Sequence, residues 1–174
     1  MVTETFLNEV ISCPKHVIKA DRKKMVLENR HYKNKLDMVS EDGEYTFKMF
    51  MRQSDEFVED FSVGLIWTNP QKYISINKSI ILLRCQGPHD GRQELGSDIH
   101  HDFHIHKISS LDIKERRYIK PSNRTSTDKF HSFDQALCYF IEKCGILNIK
   151  DFIELSFDPD QITFDERGDS NVGF

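Results

Sequence analysis

Several features are missing from this 174-residue chain, and each absence narrows the field. No two of its four cysteines, Cys13, Cys85, Cys138 and Cys144, form a CxxC pair, so a zinc ribbon is excluded. No apolar run approaches the roughly 20 residues that a membrane helix needs. The opening residues, MVTETFLNEV, carry two glutamates and no long apolar stretch, unlike a signal peptide. A cytoplasmic protein with reduced, buried thiols and no membrane partner is therefore expected. Neither sign of charge dominates, since 24 basic and 28 acidic residues leave a net charge of −4. A general nucleic-acid coat needs a strongly basic surface and is excluded, whereas a local basic patch is not. Internal repeats, low-complexity runs, Walker patterns and GxSxG motifs are all absent.

The chain has enough length for one real core, burying roughly 70% of the surface the unfolded chain exposes. Thirteen phenylalanines make that core substantially aromatic. Residues 1–157 are read as a single α+β domain. Residues 158–174 are acidic, glycine-containing and poor in apolar side chains, as in a loosely held tail.

Apolar periodicity gives most of the elements. Phe6, Leu7, Val10 and Ile11 are at helical spacing, and Pro14 ends that helix. Val17 to Asn34 is mixed and basic and carries no clear period. Leu36 and Met38 alternate with charge up to the turn Ser40-Glu41-Asp42-Gly43. Tyr45, Phe47, Met49 and Met51 then alternate again, which is a β-hairpin. Phe61 to Thr68 is a third strand. Ser79 to Gln86 is a fourth, almost continuously apolar and so central in a sheet. Ser132 and Gln135 form a capping box ahead of a helical face of Phe133, Ala136, Leu137, Phe140, Ile141 and Cys144, with Gly145 closing the helix. The expected fold is α+β: a mainly antiparallel five- to six-stranded sheet with one long amphipathic helix packed on it.

Chemistry concentrates in Gly87 to Lys107, which holds five of the eight histidines. A strand from Ile99 to Ile108 would place Asp102, His104 and His106 on one face and His101, Phe103 and Ile105 on the other. Asp102, His104 and His106, about 6.5–7 Å apart at each step, are the candidate ligands of a divalent metal, with His89, Asp90, Asp98 and His100 near enough in sequence to complete a shell. Without a metal, His104 and His106 are candidate general acid and base for phosphodiester cleavage, with Arg84, Lys107, Arg116 or Arg117 stabilising the developing charge. His89, Arg116, Arg117 and Tyr118 are candidate partner-binding residues; the run Lys114 to Lys120 could hold a nucleic-acid backbone, with Tyr118 as a stacking face. Solvated histidines on a strand, and a solvated basic loop, are the bland alternatives.

Asp42-Gly43, the Phe-Lys-Met-Phe-Met-Arg strand, Glu59 to Leu65, Leu82 to His89 and Phe103-His-Ile-His106, in that order, resemble a family of small uncharacterised bacterial proteins. The likeness runs over roughly Leu36 to Ile146. It implies a prokaryotic or phage origin and one compact domain, and it supplies no activity and no catalytic residues. Small prokaryotic proteins of this kind often act by binding a partner in toxin–antitoxin or phage-conflict systems. Binding of a protein or nucleic-acid partner is thus the first functional expectation. A small metal-dependent or histidine-pair nuclease or phosphodiesterase is the second.

Overall fold

The computed structural model describes residues 1–89 and 102–161. Helix α1, Glu4–Ser12, starts where the Thr3 hydroxyl accepts a hydrogen bond from the Phe6 N–H, and it buries Leu7, Val10 and Ile11. The stretch that shows no period in sequence folds as β1, Lys15–Ala20, and β2, Val26–Glu28. The hairpin then follows as β3, His31–Ser40, and β4, Thr46–Ser54. Gly43 turns the chain with φ +77°, and Ser40, Asp42 and Tyr45 tie the turn through the Ser40 hydroxyl. After these come β5, Phe61–Trp67, β6, Ile80–Gln86, and β7, His104–Lys107. Helix α2, Ser110–Lys114, strand β8, Asn123–Ser126, and helix α3, Phe133–Lys143, complete the main elements.

All eight strands join one antiparallel sheet in the order β1-β3-β4-β5-β6-β7-β8. Strand β2 shares the outer edge of β3 with β1. The sheet is therefore larger than the expected five or six strands. The additional ones are short or polar: three residues in β2 and the sequence Asn-Arg-Thr-Ser in β8, neither of which carries an alternating apolar signal. Nor is the sheet covered by one long helix. The nine-residue α1 packs against β6, and the eleven-residue α3 packs against β5 and β6. Between helices and sheet lies an aromatic and aliphatic core that includes Phe47, Met49, Leu65, Trp67, Cys85 and Phe140. The free thiols of Cys85 and Cys144 are buried there, Cys138 is buried outside this cluster, and Cys13 is half-buried.

The α3 start differs in one detail from a reciprocal capping box. Ser132 accepts from the Gln135 N–H, but the Gln135 side chain accepts from the His131 N–H rather than that of Ser132. A full capping box does form at α2, between Ser109 and Asp112. Gly145 ends α3 with φ +64°. The expected tail lies mostly outside the described residues, as do residues 99–101 of the expected histidine strand.

Gly87, where the chain leaves β6, sits against the backbone of Glu59; a Cβ there would overlap the Glu59 carbonyl oxygen. Because backbone cannot rotate away as a side chain can, Gly87→Ala is expected to cost about 1–3 kcal/mol. Urea unfolding checks this, and an unchanged midpoint would refute it.

Candidate functional site

Strand pairing decides which side chains share the sheet face opposite α1 and α3. Residues directly opposite in an antiparallel ladder point the same way. One register row runs Lys35, Phe50, Gly64, Arg84, His106, Arg124. The next runs Lys33, Arg52, Ser62, Gln86, His104, Ser126. Six strands at about 4.8 Å spacing make each row roughly 24 Å long. His104 and His106 thus do share a face, and Arg84 lies in register with His106.

The face is unevenly charged. Lys48 pairs with Asp37 at 2.6 Å and Arg124 with Asp102 at 2.5 Å. Lys33, Lys35, Arg52 and Arg84 have no acidic partner among the described residues. At the β1–β2–β3 edge a cleft of about 450 Å³ is lined by Lys19, Arg22, Lys33 and Lys35, with Asp21, Glu28 and Asn34. Asn34 is buried and clamps the Arg22 backbone on both sides, its Oδ1 accepting from the N–H and its Nδ2 donating to the carbonyl, so this corner is held in shape. In mid-sheet the half-exposed Phe50 ring lies over Gly64, where a Cβ would strike it.

The imidazoles are fixed by backbone. His104 Nδ1 lies 2.9 Å from the Asp102 carbonyl, and His106 Nδ1 lies 3.1 Å from the Pro121 carbonyl. A carbonyl only accepts, so Nδ1 carries the proton in both rings and Nε2 presents a lone pair. The His104 and His106 ring centres are 5.1 Å apart, and those of His89 and His104 are 5.3 Å apart. Burial pushes the His104 pKa down to about 4, against the opposing hydrogen bond to Asp102. Burial also lowers that of His106, against its bond to Pro121. Both rings are therefore neutral at pH 7.

Among the described residues, three buried atoms on this face have no hydrogen-bond partner: Arg84 Nε, Gln86 Oε1 and His104 Nε2. His104 is wholly buried and Gln86 is 8% exposed. Comparison of the chain with protein-family models, with curated proteins and with solved structures gives no match.

The Asp102 carboxylate accepts from Arg124 and from the Ser126 hydroxyl; although burial pushes its pKa up, these hydrogen-bonding and charged partners hold it below the usual carboxylate range. It lies 3.8 Å from His104 Nδ1, not beside Nε2. Among the described residues, no three His, Cys, Asp or Glu side chains are grouped to hold a metal ion. Asp90, Asp98 and His100 lie outside the described residues. Arg117 is engaged with the buried Asp112, with Glu115 and with Ser122. Asp112 also accepts from Ser109 and Ser122; although its burial opposes ionisation, these bonds hold its pKa at about 2. Arg116 is exposed with φ +59°. Tyr118 packs half-buried against the core, its carbonyl accepting from the Ile81 N–H. Within the basic run, Arg117 and Tyr118 are thus engaged in the fold, whereas Lys114, Arg116 and Lys120 are exposed.

Sequence reasoning missed Gln86, Arg124, Ser126, Lys33, Lys35 and Phe50. None stands out locally; they belong together only through strand register. Asp112 was findable, because Ser109-x-x-Asp112 is a capping signature. Among the described residues, no helix is long and apolar enough to cross a membrane.

Proposed function

We propose that the protein acts by binding a partner, and that the partner is a single-stranded nucleic acid laid across the sheet face opposite the helices. The observation that carries this reading is the register itself. It lines up, on one face of a chain whose net charge is −4, four cations that have no acidic partner among the described residues, so the positive excess is local. At the sheet edge the cleft adds Lys19 beside Lys33 and Lys35, while its Arg22 is paired with Glu28 and Asp21 also lines it. Phe50 in mid-row offers an aromatic face for a base, and stacking of this kind tolerates any sequence.

The hydrolytic alternative is less well supported. Cleavage by a histidine pair needs one imidazole protonated and one neutral near the operating pH. Here burial depresses both His104 and His106, so the pair lacks its acid at pH 7. Arg84 beside His106 suits phosphate binding in either case.

Fluorescence anisotropy with a labelled 12-nucleotide single strand tests the proposal. If the four cations each neutralise one phosphate, the salt slope is about −2.8, and raising salt from 50 to 200 mM weakens binding roughly 50-fold. Charge reversal at Lys33, Lys35 and Arg52 is expected to weaken binding at least tenfold without altering the melting temperature by more than about 2 °C. No binding at 50 mM salt, or binding indifferent to salt and to these substitutions, overturns it in favour of an acidic protein partner.

A further inference from the structure

We infer that Arg84, Gln86 and His104 form a ribose-reading subsite, which makes this face select RNA over DNA. The inference rests on the nucleic-acid reading above and names the class of strand. Its basis is the chemistry of the atoms left unpaired. Gln86 Oε1 accepts only, and with Nδ1 donating to Asp102 the Nε2 of His104 accepts only as well. His106, with Nδ1 on Pro121, adds a third acceptor at the neighbouring position. Arg84 Nε is the single unpaired donor among them. Buried groups without partners are costly and few in folded proteins, so three on two adjoining strands call for a ligand group that satisfies them.

The ligand must bring a hydrogen-bond donor for the acceptors and, next to it, an anionic acceptor for Arg84. A phosphodiester alone fails, since it donates nothing. A deoxyribose backbone fails for the same reason. A ribonucleotide meets both demands, because its 2′-hydroxyl is a donor standing next to the 3′-phosphate. His104 is wholly buried, so a ribose reaches it only when neighbouring side chains swing aside. The rings of His89 and His106 flank it, and Arg84 and Gln86 stand opposite His106 and His104 on β6.

The test compares three labelled 12-nucleotide strands of one sequence on the wild-type protein: RNA, DNA and 2′-O-methyl RNA, which keeps the ribose shape but has lost the donor. RNA is expected to bind roughly tenfold tighter than either of the others, the size of one hydrogen bond to an otherwise unpaired group. Gln86→Leu and His104→Asn, each first shown by thermal melting to be folded, are expected to bring RNA down to the DNA affinity and to leave DNA binding unchanged. Equal affinity for all three strands means that ordered water fills the subsite; that overturns this inference and leaves the binding face standing. Tight binding of 2′-O-methyl RNA means that sugar shape is read instead, and it too overturns the inference. Retention of RNA preference in both folded variants does the same. Failure of every strand to bind overturns the underlying reading along with it.

Discussion

Replacing Lys15 with methionine is expected to lower the unfolding free energy by about 3–5 kcal/mol, a large part of the roughly 5–15 kcal/mol that holds a domain together. Lys15 is wholly buried. Its ammonium donates to the carbonyls of Ile11 at 2.7 Å, Cys13 at 2.8 Å and Cys144 at 2.9 Å. The first two belong to the end of α1 and the third to the end of α3, so one side chain satisfies orphan carbonyls of two helices at once. Both helices direct the negative end of their dipole at the same cation. The ammonium also lies 4.6 Å from the centre of the Phe47 ring. Its backbone continues the clamp, accepting from Leu147 and donating to Gly145. Methionine fills similar space but donates nothing, leaving three inward-facing carbonyls unpaired at about 1–3 kcal/mol each before relaxation. Urea unfolding of the variant beside the wild type measures the loss. A change below about 1 kcal/mol would show that water reaches those carbonyls.

A second large effect is expected on acidification. The His104 pKa falls from an ordinary 6.5 in the unfolded chain to about 4 in the folded one, chiefly through burial. Between those values the unfolded state holds the proton and the folded state does not, so the unfolded state binds more protons and stability falls as pH falls. Above pH 6.5 the ring is neutral in both states and contributes no slope. The whole span is worth about 3 kcal/mol, or roughly 6–12 °C in melting temperature for a chain of this size. Arg124, His106 and His89 add to the depression from their side of the ring, while Asp102 opposes it through its carbonyl. His104→Asn retains a donor for that carbonyl and cannot titrate. The variant should therefore lose less stability than the wild type between pH 6.5 and 4. Parallel pH profiles for the two proteins would assign the slope to the carboxylates instead.

How far the sequence could be read depended on whether a local pattern existed. The β3–β4 hairpin was legible because a period of two, with charge opposite, shows which side is buried. β6 was legible as a continuous apolar run, and α3 from its cap, its face and Gly145. β1 and β2 were not, because one wall of β1 is closed by a lysine. A buried Lys15 has no sequence signature; only the convergence of two helix ends makes the position tolerable. The histidine strand was legible in parity but not in extent, since β7 is only His104–Lys107. Arg84 was singled out as a cation near the imidazoles, and register does put it beside His106. The roles of Arg117 and Asp102 were harder to read. Both are charged side chains whose partners, Asp112 and Arg124, are recognised only when the chain has folded back on itself.

By itself, then, the sequence determined an α+β chain with an aromatic core, an amphipathic helix with clear ends, and a strand whose even positions carry His104 and His106. Those are short-range properties, set by side-chain alternation, capping and turn chemistry. The tertiary structure alone decided what stands beside those histidines. Antiparallel register, fixed over several strands by burial of one face, aligned Lys33, Lys35, Arg52, Arg84 and Gln86 with them from positions up to 73 residues away, the separation of Lys33 from His106. It also buried His104 deeply enough to hold it neutral and leave its Nε2 unpaired, since burial and pairing are properties of neighbours that no local window contains.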